Sequence, residues 1–163
     1  MAQPDGSGAA MPGDRGADRH WLAAAIDLSR RCPPSQSAFS VGALVVAPSG
    51  QVIAAGYSRE TDSKDHAEEV ALSRVTGAGL TDLAAATLYS SLEPCLRRAS
   101  PRESCARLLA SAGLCRVVIA WREPPVFVPG GGAEWLAARG VTVIELPELA
   151  TEAQAVNQHL LSR

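Results

Sequence analysis

Ala85-Ala-Thr-Leu-Tyr-Ser90, then Ser104-Cys-Ala-Arg-Leu-Leu-Ala-Ser-Ala112-Gly113, then Arg116-Val-Val-Ile-Ala120 is the stretch that decides the fold. Two short, largely apolar runs flank a segment with helical spacing that Gly113 ends, so the order is strand, helix, strand. Such a unit needs parallel strands and a right-handed helical crossover, which predicts an α/β sheet buried on both faces. Working outward, Gly130-Gly-Gly132 opens a short helix through Ala138, Val141-Thr-Val-Ile144 reads as a fifth strand, and Glu148 to Leu161 reads as one amphipathic helix. Toward the N-terminus, Val41 to Ala47 and Gln51 to Gly56 flank Pro48-Ser-Gly50, the pattern of a hairpin. Between hairpin and first quoted strand lies a helix from His66 to about Thr76, with Asp65 as its expected cap and Gly77 and Gly79 closing it. A first helix spans 18–32, ended by Pro33-Pro34. The fold class is therefore α/β: helices on both sides of a mixed five-stranded sheet, a three-layer α-β-α sandwich. Residues 1–17 lack periodicity and read as a flexible leader, and 18–163 as a single domain.

The chain has 163 residues, 47% hydrophobic and 20% charged, with 15 basic against 17 acidic side chains. That near-balance offers no field for holding nucleic acid non-specifically and points to a small-molecule partner. No run approaches the ~18 apolar residues of a membrane span, and 1–17 has neither the apolar nor the basic region of a secretory signal. A cytoplasmic protein is expected. The four cysteines, Cys32, Cys95, Cys105 and Cys115, are then expected to be reduced, and a close pair to serve a metal or redox site.

The chemistry concentrates in His66-Ala-Glu68, at a helix start, in Glu93-Pro-Cys95, just after a strand, and in Cys105, near the start of the next helix. Two thiolates and an imidazole are a ligand set suited to catalytic Zn²⁺, leaving the fourth tetrahedral position for water. Helix N-termini favour the thiolates. Glu68 follows His66 by two residues, about 200° around a helix, so it stands beside the water and not among the ligands. A carboxylate there does the acid and base work of hydrolytic deamination. Glu69 is the rival acid. Two other readings stand at this point: a structural zinc site closed by Cys115 or Cys32, and a transient Cys95–Cys105 disulfide. Cys115, directly before a buried strand, reads as core, and Cys32, before Pro33, as structural.

H-A-E followed by P-C and a further Cys resembles the zinc-dependent cytidine deaminase superfamily. Nine residues (LRRASPRES) separate Cys95 from Cys105, where the usual signature has two. This wider gap resembles the riboflavin-pathway pyrimidine deaminases, the fungal form above all. Phe39-Ser-Val-Gly-Ala43, Gly56-Tyr-Ser-Arg-Glu60, Ala86-Thr-Leu-Tyr89, Ala112 to Ile119 and Phe127-Val-Pro-Gly-Gly-Gly132 fall in order as in that group. The resemblance implies the cytidine deaminase type of sandwich, Zn²⁺ on His66, Cys95 and Cys105, and Glu68 as proton shuttle. It further implies deamination of a diaminopyrimidinone carrying a ribosylamino or ribitylamino 5′-phosphate, in a stand-alone, monofunctional homodimer or homotetramer. Ala38, or Gln36 in a shifted reading, occupies the place of a substrate-contacting Asn, and Phe39 walls or stacks on the base. Arg97 or Arg98, on the loop between the cysteines, is the expected phosphate ligand, with Arg59 on a neighbouring loop. Deamination of another base, nucleoside or nucleotide (cytosine, cytidine, deoxycytidylate or guanine) and a non-catalytic zinc module are the competing readings.

Overall fold

The two apolar runs pair in parallel, as β-α-β connectivity requires: Leu88 lies opposite Val117 and Tyr89 opposite Val118. The computed structural model describes residues 13–77 and 82–162. The elements are α1 (Arg15–Ser29), β1 (Gly42–Val46), β2 (Val52–Tyr57), α2 (Ala67–Gly77), β3 (Thr87–Ser90), α3 (Cys105–Ser111), β4 (Arg116–Ile119), α4 (Gly132–Ala137), β5 (Thr142–Glu145), a 3-10 turn at Pro147–Leu149, α5 (Ala150–Ala155) and α6 (Gln158–Leu161). The sheet order is β2-β1-β3-β4-β5. β1 is antiparallel to both β2 and β3, while β3, β4 and β5 are parallel, so the sheet is mixed as expected.

Strand parity assigns the layers. Gly42 faces α1 so closely that a Cβ there would lie 2.0 Å from the Ala25 carbonyl oxygen, which is why only glycine fits. Its neighbour Ala43 faces the other way, opposite Ser90 in register, and Ser90 reaches α2 through Glu68. Tyr89 shares the α1 face, where its hydroxyl donates to Asp18 at 2.7 Å and Arg116 closes on the same carboxylate. Thus α1, with α5 against it, covers one face, and α2, α3 and α4 cover the other. The central strands β1, β3 and β4 are buried on both sides, which explains their apolar runs, while the edge strands β2 and β5 are only partly covered.

Three sequence expectations change. The first helix begins at Arg15, not 18, and buries Ala17. The rest of the expected leader, 1–12, lies outside the described residues, as does Gly79. Asp65 does not cap α2: its carboxylate accepts from the Thr61 and Asp62 backbone N–H groups and the Thr61 hydroxyl, holding its own loop. The last helix is broken into the 3-10 turn, α5 and α6. The break sits at Asn157, 1% exposed, whose amide accepts from Ser40 N–H at 2.7 Å and donates to Ser40 O at 3.0 Å. A non-helical Asn157 (φ −110°, ψ 14°) makes that reciprocal pair 117 residues away in sequence. No helix is long and apolar enough to cross a membrane among the described residues.

Candidate active site

The carboxyl ends of β3 and β4 lie at one edge of the sheet. Because β1 is antiparallel to β3, the residues leading into β1 and those leaving β2 come to that same edge. A cavity of about 380 Å³ opens there, as expected for an α/β sheet. Its walls include Ala38, Phe39, His66, Glu68, Cys95, Arg97, Arg98, Glu123 and Phe127.

His66 immediately precedes α2, Cys95 lies on the turn after β3, and Cys105 is the first residue of α3, where Ser104 accepts from the Arg107 N–H as N-cap. Their ligand atoms all lie within 4.8 Å of one another, and no fourth His, Cys, Asp or Glu joins them among the described residues. His66 Nδ1 is 3.5 Å from each sulfur. Tetrahedral zinc, with Zn–S near 2.3 Å and Zn–N near 2.0–2.1 Å, sets the nitrogen and sulfur ligands about 3.6 Å apart. The residues therefore fit that ion with one position left open. A hydrogen bond from the Cys105 thiol, with His66 and the Cys105 N–H adding to it, pulls the Cys95 thiol down to about 4, the charge state a metal needs. Cys115 is exposed and Cys32 half-buried, and all four cysteines are free, so the expected core position of Cys115 is not found. Its side chain instead turns to the Gly113 carbonyl at the surface.

Glu68 is 4% exposed and faces the same cavity. Burial, reinforced by charge on Cys95, raises its pKa. Ser90 Oγ lies 2.9 Å from Glu68 Oε1 and 2.8 Å from the Leu92 carbonyl oxygen. A hydroxyl has one proton for these two acceptors, so Ser90 serves either state of the acid: it donates to a carboxylate, or donates to Leu92 and accepts from a carboxylic acid. Glu69 is turned elsewhere. It accepts from His66 N–H, as the third residue of a capping box does, and from Arg98 and Arg102.

The inter-cysteine loop is anchored by Arg98, whose side chain is 1% exposed. Its terminal nitrogens bind both Glu69 oxygens and the carbonyls of Lys64 and Glu103. Arg59, with a left-handed φ of 58°, turns its guanidinium onto Pro33 O, Phe39 O and Ser40 Oγ. The terminal nitrogens of these two arginines are committed to the protein; Arg97 is exposed at the cavity and has no hydrogen-bond or ion-pair partner among the described residues. Ala38 lines the cavity, whereas Gln36 does not. Phe39 is buried and packs edge-to-face on Phe127 and Trp121, at 5.1 and 5.8 Å between ring centroids. The turn carrying Cys95 is held by Glu93, which accepts from the N–H groups of Glu123 and Ala133. A Cβ on Gly132 would lie 1.8 Å from Pro94 O, so glycine lets α4 press against that turn.

Sequence reasoning missed Ser90, Phe127 and Glu123 as site residues. Glu123 follows the carboxyl end of a buried strand, a position that favours ligand contact in parallel sheets and could have flagged it. It is half-buried. Burial, with the charges on Cys95, Glu68 and Glu93, pushes its pKa up to about 8.

Residues 16–121 match the family model described as the cytidine and deoxycytidylate deaminase zinc-binding region. The chain is 37% identical over 126 residues to a diaminohydroxyphosphoribosylamino-pyrimidine deaminase of Schizosaccharomyces pombe, covering 77% of this chain and 31% of the relative. It thus spans about a third of the length of the curated relatives it matches. Among solved structures, a Thermotoga maritima diaminohydroxyphosphoribosylaminopyrimidine deaminase/5-amino-6-(5-phosphoribosylamino)uracil reductase superposes with a TM-score of 0.75 at 31% identity, over 89% of this chain and 40% of that one. The Aspergillus oryzae Rib2 deaminase in complex with DARIPP shares the fold, with a TM-score of 0.68 at 17% identity, over 88% of this chain and 96% of that one.

Proposed function

The chain belongs to the cytidine and deoxycytidylate deaminase zinc-binding family, and from that premise we propose that it hydrolyses the amine of an aminopyrimidine and releases ammonia. Its substrate in this proposal is the riboflavin-pathway diaminopyrimidinone bearing a ribosylamino or ribitylamino 5′-phosphate. The observation that carries the reading is the meeting of His66, Cys95 and Cys105 at zinc-ligand spacing in one cavity with the buried acid Glu68. The names of the S. pombe and T. maritima relatives, and the DARIPP held by the A. oryzae enzyme, support the substrate class.

His66, Cys95 and Cys105 would hold zinc, which when bound supplies the Lewis acidity that activates water. Glu68 takes the proton from the attacking water and passes it to the ring nitrogen beside the amine-bearing carbon. It then takes the remaining proton of the hydroxyl added to carbon and delivers it to the departing amine as the carbonyl forms, so one carboxyl serves as base and acid in turn. Its raised pKa suits that exchange. Phe39 and Phe127 wall the ring, and Arg97 is the proposed phosphate ligand, since Arg98 and Arg59 are engaged within the fold. The same reading carries a cytoplasmic homodimer or homotetramer, checked by light scattering and cell fractionation.

The test is ammonia release from the ribosylamino and ribitylamino diaminopyrimidinone phosphates, cytosine, cytidine, deoxycytidylate and guanine. Turnover of a diaminopyrimidinone is expected, with Glu68→Gln slower by about 10²–10⁴-fold at unchanged zinc content. Release only from another base overturns the substrate, and an active Glu68→Gln overturns the mechanism.

A further inference from the structure

Residues 33–41 join α1 to β1 outside any helix or strand, yet Ser37, Ala38, Phe39 and Val41 line the cavity. His66 and Cys105 stand at helix starts, whereas this wall has no ladder of its own to hold it. Its backbone polar groups must be paired from elsewhere. Two consecutive peptide groups show how. In the first, the Phe39 carbonyl accepts from Arg59 Nη1 at 3.0 Å and the Ser40 N–H donates to Asn157 Oδ1 at 2.7 Å. In the second, the Ser40 carbonyl accepts from Asn157 Nδ2 at 3.0 Å and the Val41 N–H donates to Ser58 Oγ at 3.0 Å. A peptide group is planar, so binding its oxygen and its N–H together fixes the orientation of the plane. Two planes held in succession set the path of the chain from Phe39 to Val41.

Of the three side chains, Asn157 alone bonds to both planes. It is 1% exposed, sits at the break between α5 and α6, and does not itself line the cavity. Its one other bond, to Ala153 O at 3.3 Å, stays within the C-terminal segment. Two residues on, His159 Nε2 donates to the Ser35 carbonyl at 2.8 Å, and Ser35 Oγ in turn accepts from the Ser37 and Ala38 N–H groups. The C-terminal helix thus grips the wall at both ends. Packing of rings does not replace that grip, because Phe127, the nearer ring against Phe39, is itself 37% exposed. We propose that Asn157 is a positioning residue for the deamination, which through Ser40 holds Phe39 against the substrate ring. This deepens the aminopyrimidine deaminase reading and rests on it. A wall that meets the ring equally before and during reaction acts on binding, so the role belongs in KM and not in kcat.

The test is a double-mutant cycle in the zinc-loaded protein, with Asn157→Ala and Phe39→Leu made singly and together. Ammonia release is measured from the diaminopyrimidinone ribosylamino 5′-phosphate or, where the parent deaminates only another base, from that base. Asn157→Ala is expected to raise KM about 10-fold or more, with kcat within about 3-fold and zinc content unchanged. Once Phe39→Leu has removed the ring, the same change should raise KM by less than about 3-fold, since nothing is left for Asn157 to position. Asn157→Asp keeps the acceptor for the Ser40 N–H and loses the donor to the Ser40 carbonyl. It carries the same comparison if the alanine variant does not fold, with an expected rise in KM of about 3-fold or more. An unmoved KM, or an equal rise with and without the Phe39 ring, overturns the role of Asn157 alone and leaves the deaminase reading standing. A parent protein that releases ammonia from no aminopyrimidine overturns that reading and the role together.

Discussion

A single hydroxyl decides how Glu68 can work. Ser90 Oγ stands between the Glu68 carboxyl and the Leu92 carbonyl, at 2.9 and 2.8 Å, and can follow the acid through both protonation states without moving a heavy atom. Removing it leaves a buried acid without its partner, a loss of about 1.5–3 kcal/mol for a bond to a charged group. Ser90→Ala is therefore expected to lower kcat by about 10–100-fold with KM and zinc content little changed. Stopped-flow ammonia release and metal analysis check it, and a KM effect alone would place Ser90 in binding. Arg97 is the opposite case, an exposed side chain at the cavity without a partner among the described residues. Arg97→Ala should raise KM for the phosphorylated diaminopyrimidinone about 10-fold or more while leaving the dephosphorylated compound unaffected. Equal effects on both would remove the phosphate role. The cluster and Glu68 were legible in sequence because their chemistry depends on residue type and short spacing. What was not legible is that Arg59, which lines the cavity, also bonds backbone carbonyls at Pro33 and Phe39, since nothing local to Gly56-Tyr-Ser-Arg-Glu60 announces them.

The loop between the cysteines is the element that turns three scattered ligands into a site. Arg98 ties it to α2 through Glu69, whose other partners are the His66 N–H and Arg102. One side chain thus braces the segment after Cys95 against the residues around His66. Arg98→Ala leaves Glu69 with a weaker set of partners and a gap under the loop. Breaking a buried pair of this kind costs about 3–5 kcal/mol, which for a chain this size lowers Tm by roughly 6–20 °C at about 2–4 °C per kcal/mol. Zinc affinity should fall with it, read by chelator competition; a lower Tm with unchanged affinity would confine Arg98 to stability. The β-α-β core was legible because each run is short, apolar and bounded by glycine. The C-terminal helix was not, since its pattern is continuous from Glu148 to Leu161 and only the distant Ser40 makes it worth breaking at Asn157.

For the whole molecule, the carboxylates divide into two groups that oppose each other in pH. Asp18, Asp65 and Glu69 titrate below their ordinary values, since burial, which alone would raise them, is outweighed by hydrogen bonds from Arg116 and Tyr89, from Thr61 and Arg102, and from Arg98 and the His66 N–H. Their stabilisation is fully present above the ordinary carboxylate range of about 4 and is lost as pH falls through the lowered values. Glu123, pushed to about 8 by burial and by neighbouring charge, runs the other way. The unfolded chain ionises it near pH 4.3 and the native protein only near 8, so its contribution is full below about pH 4 and is lost as pH rises to 8. Glu68 acts in the same sense. The contribution of the carboxylates should therefore peak near pH 4–5 and decline toward 8. Glu123→Gln takes away part of that decline. With chelator present to hold metal out, its Tm should match the parent near pH 5 and exceed it by about 2 °C or more at pH 8.5. A gap of equal size at both pH values would mean that the burial of charge is not what Glu123 costs the fold. A gap that opens with pH would show that the cost lies in ionising Glu123 at a buried place beside other negative charge.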